Sequence, residues 1–172
     1  MTYRTNYDSP LGKILLTADE VGLTGLWFYG EKYFPHDLYE GDIQEETEIL
    51  AESKKWLDEY FGGSEPNFTP PLHPAGSEFR HAVWDILLQI PYGKTTTYGE
   101  IAAVLAKRRG ILRMSAQAVG GAVGHNPVSI IIPCHRVVGH NGNLTGYAGG
   151  IDRKIKLLEI ERADVSDKLS LR

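Results

Sequence analysis

Pro66-Asn67-Phe68-Thr69-Pro70-Pro71-Leu72-His73-Pro74-Ala75-Gly76 is the stretch that decides how this chain of 172 residues is organised. Its four prolines cannot lie inside a helix or a central strand, because proline lacks a backbone N–H group and clashes with the preceding turn. The stretch therefore predicts a linker at the end of a first domain, residues 1–75, before a second domain, residues 76–172.

The two predicted domains differ in charge. Residues 1–75 contain 5 basic and 14 acidic residues, a charge of −9, whereas residues 76–172 contain 13 and 8, a charge of +5, which together give −4. A basic half indicates a polyanionic partner such as nucleic acid. Ordinary variation between domains accounts for the difference about equally well, so charge alone does not decide.

The composition is typical of a globular protein, with 42% hydrophobic and 23% charged residues. No apolar run approaches the roughly 20 residues that a membrane-spanning helix needs, and the residues after Met1 do not form a signal peptide. A single cysteine excludes an internal disulfide and suits a reducing compartment. The sequence predicts a cytoplasmic protein, or a nuclear one in a eukaryote.

The first domain is predicted to be a small α/β domain. Two apolar runs, Lys13–Ala18 and Leu23–Tyr29, flank a turn at residues 19–22 and predict a β-hairpin. The residues from Glu45 to Phe61 show the 3.6-residue apolar spacing of a helix, and two glycines at 62–63 end it. We therefore expect a sheet that contains the hairpin, with one helix.

The second domain is predicted to be mainly helical, which makes the fold class α+β. Apolar residues at helical spacing between Phe79 and Ile90 predict a support helix. Thr97 and Glu100 form a capping box, which predicts a helix from about Tyr98 to Ala106. After a basic loop at 107–113, Ser115 is a plausible N-cap for a short helix that ends near residue 124. Such a pair is typical of a helix-turn-helix (winged-helix-like) domain, although helical hairpins are common.

Two further segments follow. Val128–Ile132 is apolar and ends at Pro133, so it is either a short strand or an extended buried segment. Ile151–Glu161 predicts a final helix whose apolar face contains Ile151, Ile155 and Leu158.

Cys134 is the first candidate for chemistry. It follows Pro133, which restricts the backbone, and precedes His135-Arg136, whose charge or hydrogen bonds can favour the reactive thiolate. A lone cysteine is nevertheless more often a small core residue than a nucleophile. From these residues alone both interpretations stay open.

The helix predicted after Ser115 is unusually poor in side-chain bulk. Gly120 and Gly121 each destabilise a helix by roughly 1 kcal/mol relative to alanine. Close packing against another helix would explain them, and so would close approach to a nucleic-acid backbone in a narrow groove. Without other evidence, packing is the favoured explanation.

A glycine-rich loop, residues 141–150, follows Cys134. It lacks the GK[ST] ending of a phosphate-binding loop, so it is either a lid with Tyr147 as an apolar wall or a surface loop. The six histidines show no metal-ligand spacing, and there is no serine elbow of the G-x-S-x-G type. We expect neither a metal nor a cofactor.

Taken together, these motifs resemble the O6-alkylguanine-DNA alkyltransferase family, the methylated-DNA–protein-cysteine methyltransferases. The resemblance rests on three strings in the same order: Gly124-His125-Asn126-Pro127, Pro133-Cys134-His135-Arg136-Val137 and Gly146-Tyr147-Ala148-Gly149-Gly150. It covers residues 78–162 strongly and the first 75 residues only in outline. It implies that a monomer binds double-stranded DNA containing O6-alkylguanine, flips the base out, and takes the alkyl group irreversibly.

The resemblance implies a role for each of five catalytic residues. Cys134 is the alkyl acceptor, and His135 takes the thiol proton through a water molecule. Glu161 orients that histidine, and Asn126 braces the turn that carries the cysteine. Tyr98 helps to rotate the base and donates a hydrogen bond to the leaving guanine.

The resemblance also implies a set of residues that contact the base or the DNA. Val137 and Tyr147 line the pocket of the flipped base, and the amide of Ala148 meets O6. At Gln117 many relatives have an arginine that fills the gap left by the flipped nucleotide. The whole set is Arg113, Gln117, Ala118, Gly120, Arg136, Val137, Tyr147 and Ala148.

Three other functions remain open for comparison. Alkyltransferase-like proteins bind damage without reacting, but they lack the cysteine, and Gln117 leaves room for a slow reactor that mainly marks lesions. In a DNA-binding regulator, Cys134 would be a sensor residue or simply a residue of the hydrophobic core. A cysteine hydrolase would turn over repeatedly and would ignore DNA.

Overall fold

The computed structural model describes residues 1–36, 43–144 and 146–163, so residues 164–172 of the second predicted domain lie outside the described residues. The chain forms two compact units. The first contains Met1–Ala75 together with Pro127–Ser129, and the second contains Gly76–Asn126 and the chain from Ile130 onward. The fold is α+β, as predicted. None of the helices in the described ranges is long and apolar enough to cross a membrane.

Within its described residues, the first unit contains a three-stranded antiparallel sheet and one helix. The strands are β1 (Tyr3–Ser9), β2 (Gly12–Ala18) and β3 (Leu23–Phe28), in the order β1-β2-β3. The predicted hairpin is confirmed as β2 and β3, with Ile14 opposite Phe28. The sequence does not predict β1, because this strand is half-buried along its length and mostly polar.

The helix of the first unit, α1 (Glu48–Phe61), begins later than the predicted Glu45. Its N-cap is Thr47, whose hydroxyl accepts a hydrogen bond from the Leu50 amide at 3.4 Å. The cap satisfies one of the amides that the first turn leaves without a helical partner. Its inward face is apolar and aromatic and comprises Leu50, Trp56, Leu57 and Tyr60.

The proline-rich stretch is not a free linker along its whole length. The Leu23 amide donates to the carbonyl of Pro71 at 2.7 Å, and the His73 amide donates to the carbonyl of Leu23 at 2.8 Å. The side chain of His73 also pairs with Asp19 at 2.6 Å. Residues 71–73 are thereby held against the start of β3.

The second unit contains four helices and a two-stranded parallel sheet within its described residues. The helices are α2 (Glu78–Leu87), α3 (Tyr98–Arg109), α4 (Ala116–Gly124) and α5 (Ile151–Ile160), and the strands are β4 (Thr96–Thr97) and β5 (Val137–Val138). The predicted helix-turn-helix is confirmed as α3, a loop and α4. Its packing onto α2 includes a hydrogen bond from the indole of Trp84 to the carbonyl of Ala122, 2.9 Å long.

The ends of α3 differ from the prediction in two ways. The helix continues past Ala106 to Arg109, because lysine and arginine are good helix formers, and it ends at Gly110 in the left-handed conformation (φ 64°). Only half of the capping box forms. The Thr97 hydroxyl accepts from the Glu100 amide at 3.1 Å, whereas the Glu100 carboxylate accepts from the Thr96 hydroxyl at 3.0 Å.

Residues 128–132 form an irregular buried segment instead of a regular strand. Val128 makes one isolated bridge with Leu26, and the rest of the segment turns. Ile130 has a φ of 71°, a backbone conformation that a β-branched residue rarely adopts. The apolar run is buried as predicted, but its bend carries the chain into the turn at Cys134.

Candidate active site

Cys134 lies in a single turn of 3-10 helix and is 7% exposed. Its amide donates to the carbonyl of Ile132 at 2.8 Å. The side-chain amide of the buried Asn126 donates to the same carbonyl, also at 2.8 Å. Asn126 thus holds the backbone two residues before the cysteine, in the bracing position that the sequence resemblance implies for it.

Glu161 is buried next to this turn and accepts hydrogen bonds from several donors. Nε2 of His135 lies 2.6 Å from Oε2, and Nε of Arg136 lies 2.8 Å from Oε1. A second guanidinium nitrogen of Arg136 donates at 3.2 Å, and the Gly93 amide donates at 3.0 Å. Burial alone would raise the pKa of Glu161, but the hydrogen bonds and charges of His135 and Arg136 outweigh it and lower the pKa to about 2.

The Glu161 carboxylate determines the state of His135. An ionised carboxylate only accepts hydrogen bonds, so Nε2 carries the ring hydrogen and Nδ1 is the basic nitrogen. Burial lowers the pKa of His135 below its usual value, although the hydrogen bond and charge of Glu161 act in the opposite direction. His135 is therefore neutral near pH 7 and can accept a proton.

The expected DNA contact of Arg136 is wrong. Its guanidinium is buried, with the ion pair to Glu161 on one side and the carbonyl of Ile90, at 2.7 Å, on the other. These contacts use its donors inside the unit, so Arg136 neutralises Glu161 and does not face a phosphate. Adjacency to Cys134 in sequence misled the prediction.

Tyr98 is placed beside the cysteine turn by the sheet. Thr97, the last residue of β4, pairs with Val138 of β5, and Tyr98 is the next residue. Its hydroxyl lies near the backbone of Gly146, where an added Cβ would be 3.6 Å away. Burial and, second, the charge of a Cys134 thiolate raise the pKa of Tyr98 to about 12, so the phenol stays protonated and can donate.

Lys154 is a candidate that the sequence prediction missed. It lies on α5 and is 0% exposed, and its ammonium donates to the carbonyls of Val137 at 2.6 Å and Gly146 at 3.1 Å. Burial lowers its pKa to about 8, while the negative charge of a Cys134 thiolate acts in the opposite direction. That attraction is mutual, so the Lys154 charge stabilises the thiolate.

The buried face of α5 explains why Lys154 was missed. The predicted face contained Ile151 and Ile155, which are only half-buried. The face that is buried contains Lys154, Leu157, Leu158 and, just after the helix, Glu161. A lysine and a glutamate seven residues apart on the same face as two leucines are the signal that could have revealed it.

A groove of about 500 Å³ opens beside Tyr98. Residues around the start of α3, residues of the first half of α4 and one residue after β5 line it: Thr97, Tyr98, Gly99, Ala116, Gln117, Gly120 and His140. Gln117 and Ala118 are exposed, in keeping with their expected contact with DNA. The groove therefore lies where the predicted DNA-facing helix meets the predicted leaving-group donor.

The packing explanation for the glycines of α4 is wrong for Gly121. A Cβ added at Gly121 would have no atom within 4 Å, and one added at Gly120 would meet only the Tyr98 ring, at 3.8 Å. Neither glycine is needed to bring two parts of this unit together. The alternative, close approach of another molecule to the exposed face of α4, is the explanation that remains.

The other predicted site residues are more scattered. Val137 is buried in β5. Tyr147 and Ala148 are half-buried and lie in a turn closed by the Gly150 amide on the Tyr147 carbonyl, at 2.9 Å. Arg113 is exposed in the loop before α4. Across the described ranges there is no group of three or more histidine, cysteine, aspartate or glutamate residues that could hold a metal ion.

Comparison with known families matches both halves of the chain. The model described as "6-O-methylguanine DNA methyltransferase, DNA binding domain" matches residues 78–163, and the one described as "6-O-methylguanine DNA methyltransferase, ribonuclease-like domain" matches residues 2–74.

Curated relatives match over nearly the whole length. The chain is 38% identical over 167 residues to the methylated-DNA–protein-cysteine methyltransferase of Haemophilus influenzae, covering 96% of this chain and 89% of that protein. It is 40% identical over 171 residues to the protein of the same name from Mycobacterium leprae, covering 99% of each.

Solved structures are also similar to this chain. The Mycobacterium tuberculosis OGT in complex with DNA has a TM-score of 0.79 and 39% sequence identity, with 93% of this chain and 92% of that chain covered. The structure of Mycobacterium tuberculosis O6-methylguanine methyltransferase has the same score and identity and covers 99% of each chain.

We predict that Glu161→Gln lowers the free energy of unfolding by about 3–5 kcal/mol, because Arg136 then keeps a buried charge without a counter-ion. The folded pKa of Glu161 is about 2 and its ordinary value is 4.5. Between these values the unfolded chain binds more protons than the folded chain, so stability falls as the pH drops.

Urea unfolding measured across this acid range checks the prediction. The Glu161→Gln variant should lose the part of the acid dependence that the wild type shows in this window. The exposed Glu45 supplies the matched control, Glu45→Gln, which should leave the wild-type profile unchanged. If the free energy of unfolding depended on pH in the same way in both variants, Glu161 would not be the source of the acid dependence.

Proposed function

Because the chain belongs to the 6-O-methylguanine DNA methyltransferase family, we propose that its own residues carry out the family's reaction at the turn that contains Cys134. The protein is a methylated-DNA–protein-cysteine methyltransferase that binds DNA and repairs O6-methylguanine. What remains to be assigned is which residues accept the methyl group, move the protons and hold the DNA.

Cys134 accepts the methyl group. The activity requires a cysteine of the protein itself, and this chain has one. That single observation carries the assignment, and the geometry around the residue supports it. The charge of a Cys134 thiolate acts on a buried lysine and a protonated tyrosine, and a neutral histidine is the next residue in the chain. Each of these groups has a use in transfer to a thiol.

His135 removes the thiol proton. Its Nε2–H is fixed on Glu161, so the proton from Cys134 goes to Nδ1, through a water molecule in the manner that the family resemblance implies. The resulting imidazolium is stabilised by the Glu161 carboxylate 2.6 Å away. Arg136 keeps that carboxylate ionised and in place.

The transfer exchanges one bond for another. A lone pair of the Cys134 thiolate forms the S–C bond as the bond between the methyl carbon and O6 breaks, and the electron pair of that bond passes to the guanine ring. Tyr98 supplies a hydrogen bond or a proton to the ring, and the proton that His135 took from the thiol returns through water to the tyrosine or to the base. Guanine thus gains overall the proton that the thiol loses. The thioether does not hydrolyse readily, and each molecule therefore acts once.

Lys154 is a positioning residue for the thiolate. It joins the carbonyls of Val137 and Gly146, and thus ties the strand after the cysteine to the loop that carries Tyr147 and Ala148. Its positive charge favours ionisation of Cys134. We assign to Tyr147 and Ala148 the wall of the base pocket and the amide that meets O6.

The exposed face of α4 is the surface that approaches the DNA. Its small side chains leave the backbone accessible, and Gly121 in particular has open space where a Cβ would stand. A narrow groove can receive such a surface without steric conflict. The target carbon lies inside the base stack, so the base must be flipped out, at a cost of a few kcal/mol that is lower for a damaged pair.

Gln117 lines the groove beside Tyr98 and takes the position of the residue that fills the gap in the duplex. Glutamine is uncharged and can hydrogen-bond the orphaned base. We extend the proposal to double-stranded DNA with O6-alkylguanine in general, to a monomer, and to the cytoplasm, where the thiol stays reduced.

The first experiment mixes the protein with duplex DNA that contains one O6-methylguanine and measures intact mass, followed by peptide mapping. We expect one added methyl per molecule, located on Cys134. Cys134→Ser and Cys134→Ala should gain nothing while still binding the duplex. If both variants lost DNA binding as well as methyl transfer, the cysteine would instead have a structural role.

An unchanged wild-type mass with tight binding to the lesion would contradict the proposal and favour a protein that marks damage. Repeated turnover without modification of the protein would favour a hydrolase.

We predict that Gly121→Leu impairs DNA repair without lowering the stability of the fold. Leucine has a higher helix propensity than glycine by roughly 0.8 kcal/mol, and its Cβ would have no atom within 4 Å outside the backbone of its own helix, so the free energy of unfolding should not fall. The rate on duplex should fall at least tenfold, whereas the rate on the free base O6-methylguanine should stay near wild type. Equal losses on both substrates would show that α4 does not act through DNA.

We predict that Lys154→Met slows methyl transfer on both duplex and free base, because the thiolate loses a nearby positive charge. The pH profile of transfer should move to higher pH, a change that a purely structural role would not cause. Lys156→Met, on the same helix, is the control and should keep the wild-type profile. If Lys154→Met lowered the rate without shifting its pH dependence, Lys154 would only hold the loop in place and would not favour the thiolate.

A further inference from the structure

The loop between α3 and α4 exposes two adjacent apolar residues. Leu112 is 101% exposed and Ile111 is 46% exposed. We call these two residues the apolar tip. Single exposed apolar residues are ordinary, but here two adjacent ones stand at the point of a helix-turn-helix loop.

The apolar tip stands on a fixed base. Gly110 ends α3 in the left-handed conformation, and the Ile111 amide donates back to the carbonyl of Ala106 at 3.0 Å. Arg109 makes two hydrogen bonds to the Glu78 carboxylate, at 2.9 and 3.0 Å. The base of the loop is therefore held by both the cap of α3 and an ion pair to α2.

Cations surround the apolar tip. Lys107, Arg108 and Arg113 are exposed, and there is no acidic residue between positions 101 and 151. α4, in contrast, contains no charged residue at all. A helix without cations gains no attraction between side-chain charge and phosphate, whereas the loop that leads directly into its N-cap, Ser115, supplies it.

We propose that the apolar tip is a second contact with duplex DNA, in which Leu112 enters the minor groove next to α4 while Lys107, Arg108 and Arg113 contact the flanking phosphates. The proposal rests on the proposed function, because it places the same duplex on the exposed face of α4. Apolar side chains that enter the minor groove between cationic contacts partly unstack a base step. Leu112 thus assists extrusion of the damaged base at a site where Gln117 brings no charge.

The charge around the tip favours DNA over other occupants. A second copy of this chain has 14 acidic residues in positions 1–75 and could bring some of them to the tip, so the test below includes the oligomeric state. The polyanion that the protein already binds supplies that charge along its whole length.

The test compares transfer from duplex with transfer from free O6-methylguanine over a series of salt concentrations. Leu112→Ser should lower the ratio of the duplex rate to the free-base rate about tenfold, with the slope of log rate against log salt unchanged. Arg108→Gln and Arg113→Gln should each reduce that slope by about 0.9, the value for one phosphate contact on duplex DNA. Val21→Ser, which replaces an exposed residue of the first unit, is the matched control.

Three outcomes would overturn the proposal. Leu112→Ser could keep the wild-type ratio, it could lower both rates equally, or it could abolish a dimer in sedimentation while the duplex rate stays unchanged, which would assign the tip to a second copy. These outcomes differ from failure of the proposed function, in which the wild type itself would transfer no methyl group from either substrate.

Discussion

The Glu161 carboxylate accepts hydrogen bonds from His135, Arg136 and the Gly93 amide, and the arrangement of the site depends on it. A buried carboxylate is costly unless it is paired, and here one arginine supplies the charge and one histidine supplies a directed donor. Because both partners follow Cys134 directly, the same interaction fixes the 3-10 turn, the tautomer of the histidine and the place of the cysteine. Removing the carboxylate would disturb all three at once.

Much of the fold follows from local rules, and the exceptions have physical causes. The β2–β3 hairpin, the Thr97 cap that begins α3, and α4 with its Ser115 cap each depend on a few adjacent residues, so the sequence predicts them. The end of α3 was placed too early. β1 was missed because an edge strand that is half-buried has no clear alternation. Arg136 was misassigned because its direction depends on Glu161, which lies 25 positions away in the sequence.

In the complex with DNA that we propose, α4 and the loop before it have different tasks. α4 presents small, uncharged residues that allow close approach, and the preceding loop presents cations and an apolar tip. α4 and the loop need each other. An uncharged helix alone has little affinity for DNA, and a basic loop alone does not fix where the duplex lies on the protein. The open space beside Gly121 becomes useful when charges nearby hold the duplex against it.

The groups around Cys134 owe their protonation states to pKa shifts in different directions, downward for the histidine and the lysine and upward for the tyrosine. Burial moves each one toward its neutral form: it lowers the pKa of His135, lowers that of Lys154 to about 8, and raises that of Tyr98 to about 12. At neutral pH this leaves a neutral imidazole that can accept a proton, an ammonium that can stabilise a thiolate, and a phenol that can donate to a leaving group. One buried environment therefore provides a base, a positive charge and an acid, because the three groups start from different ordinary pKa values.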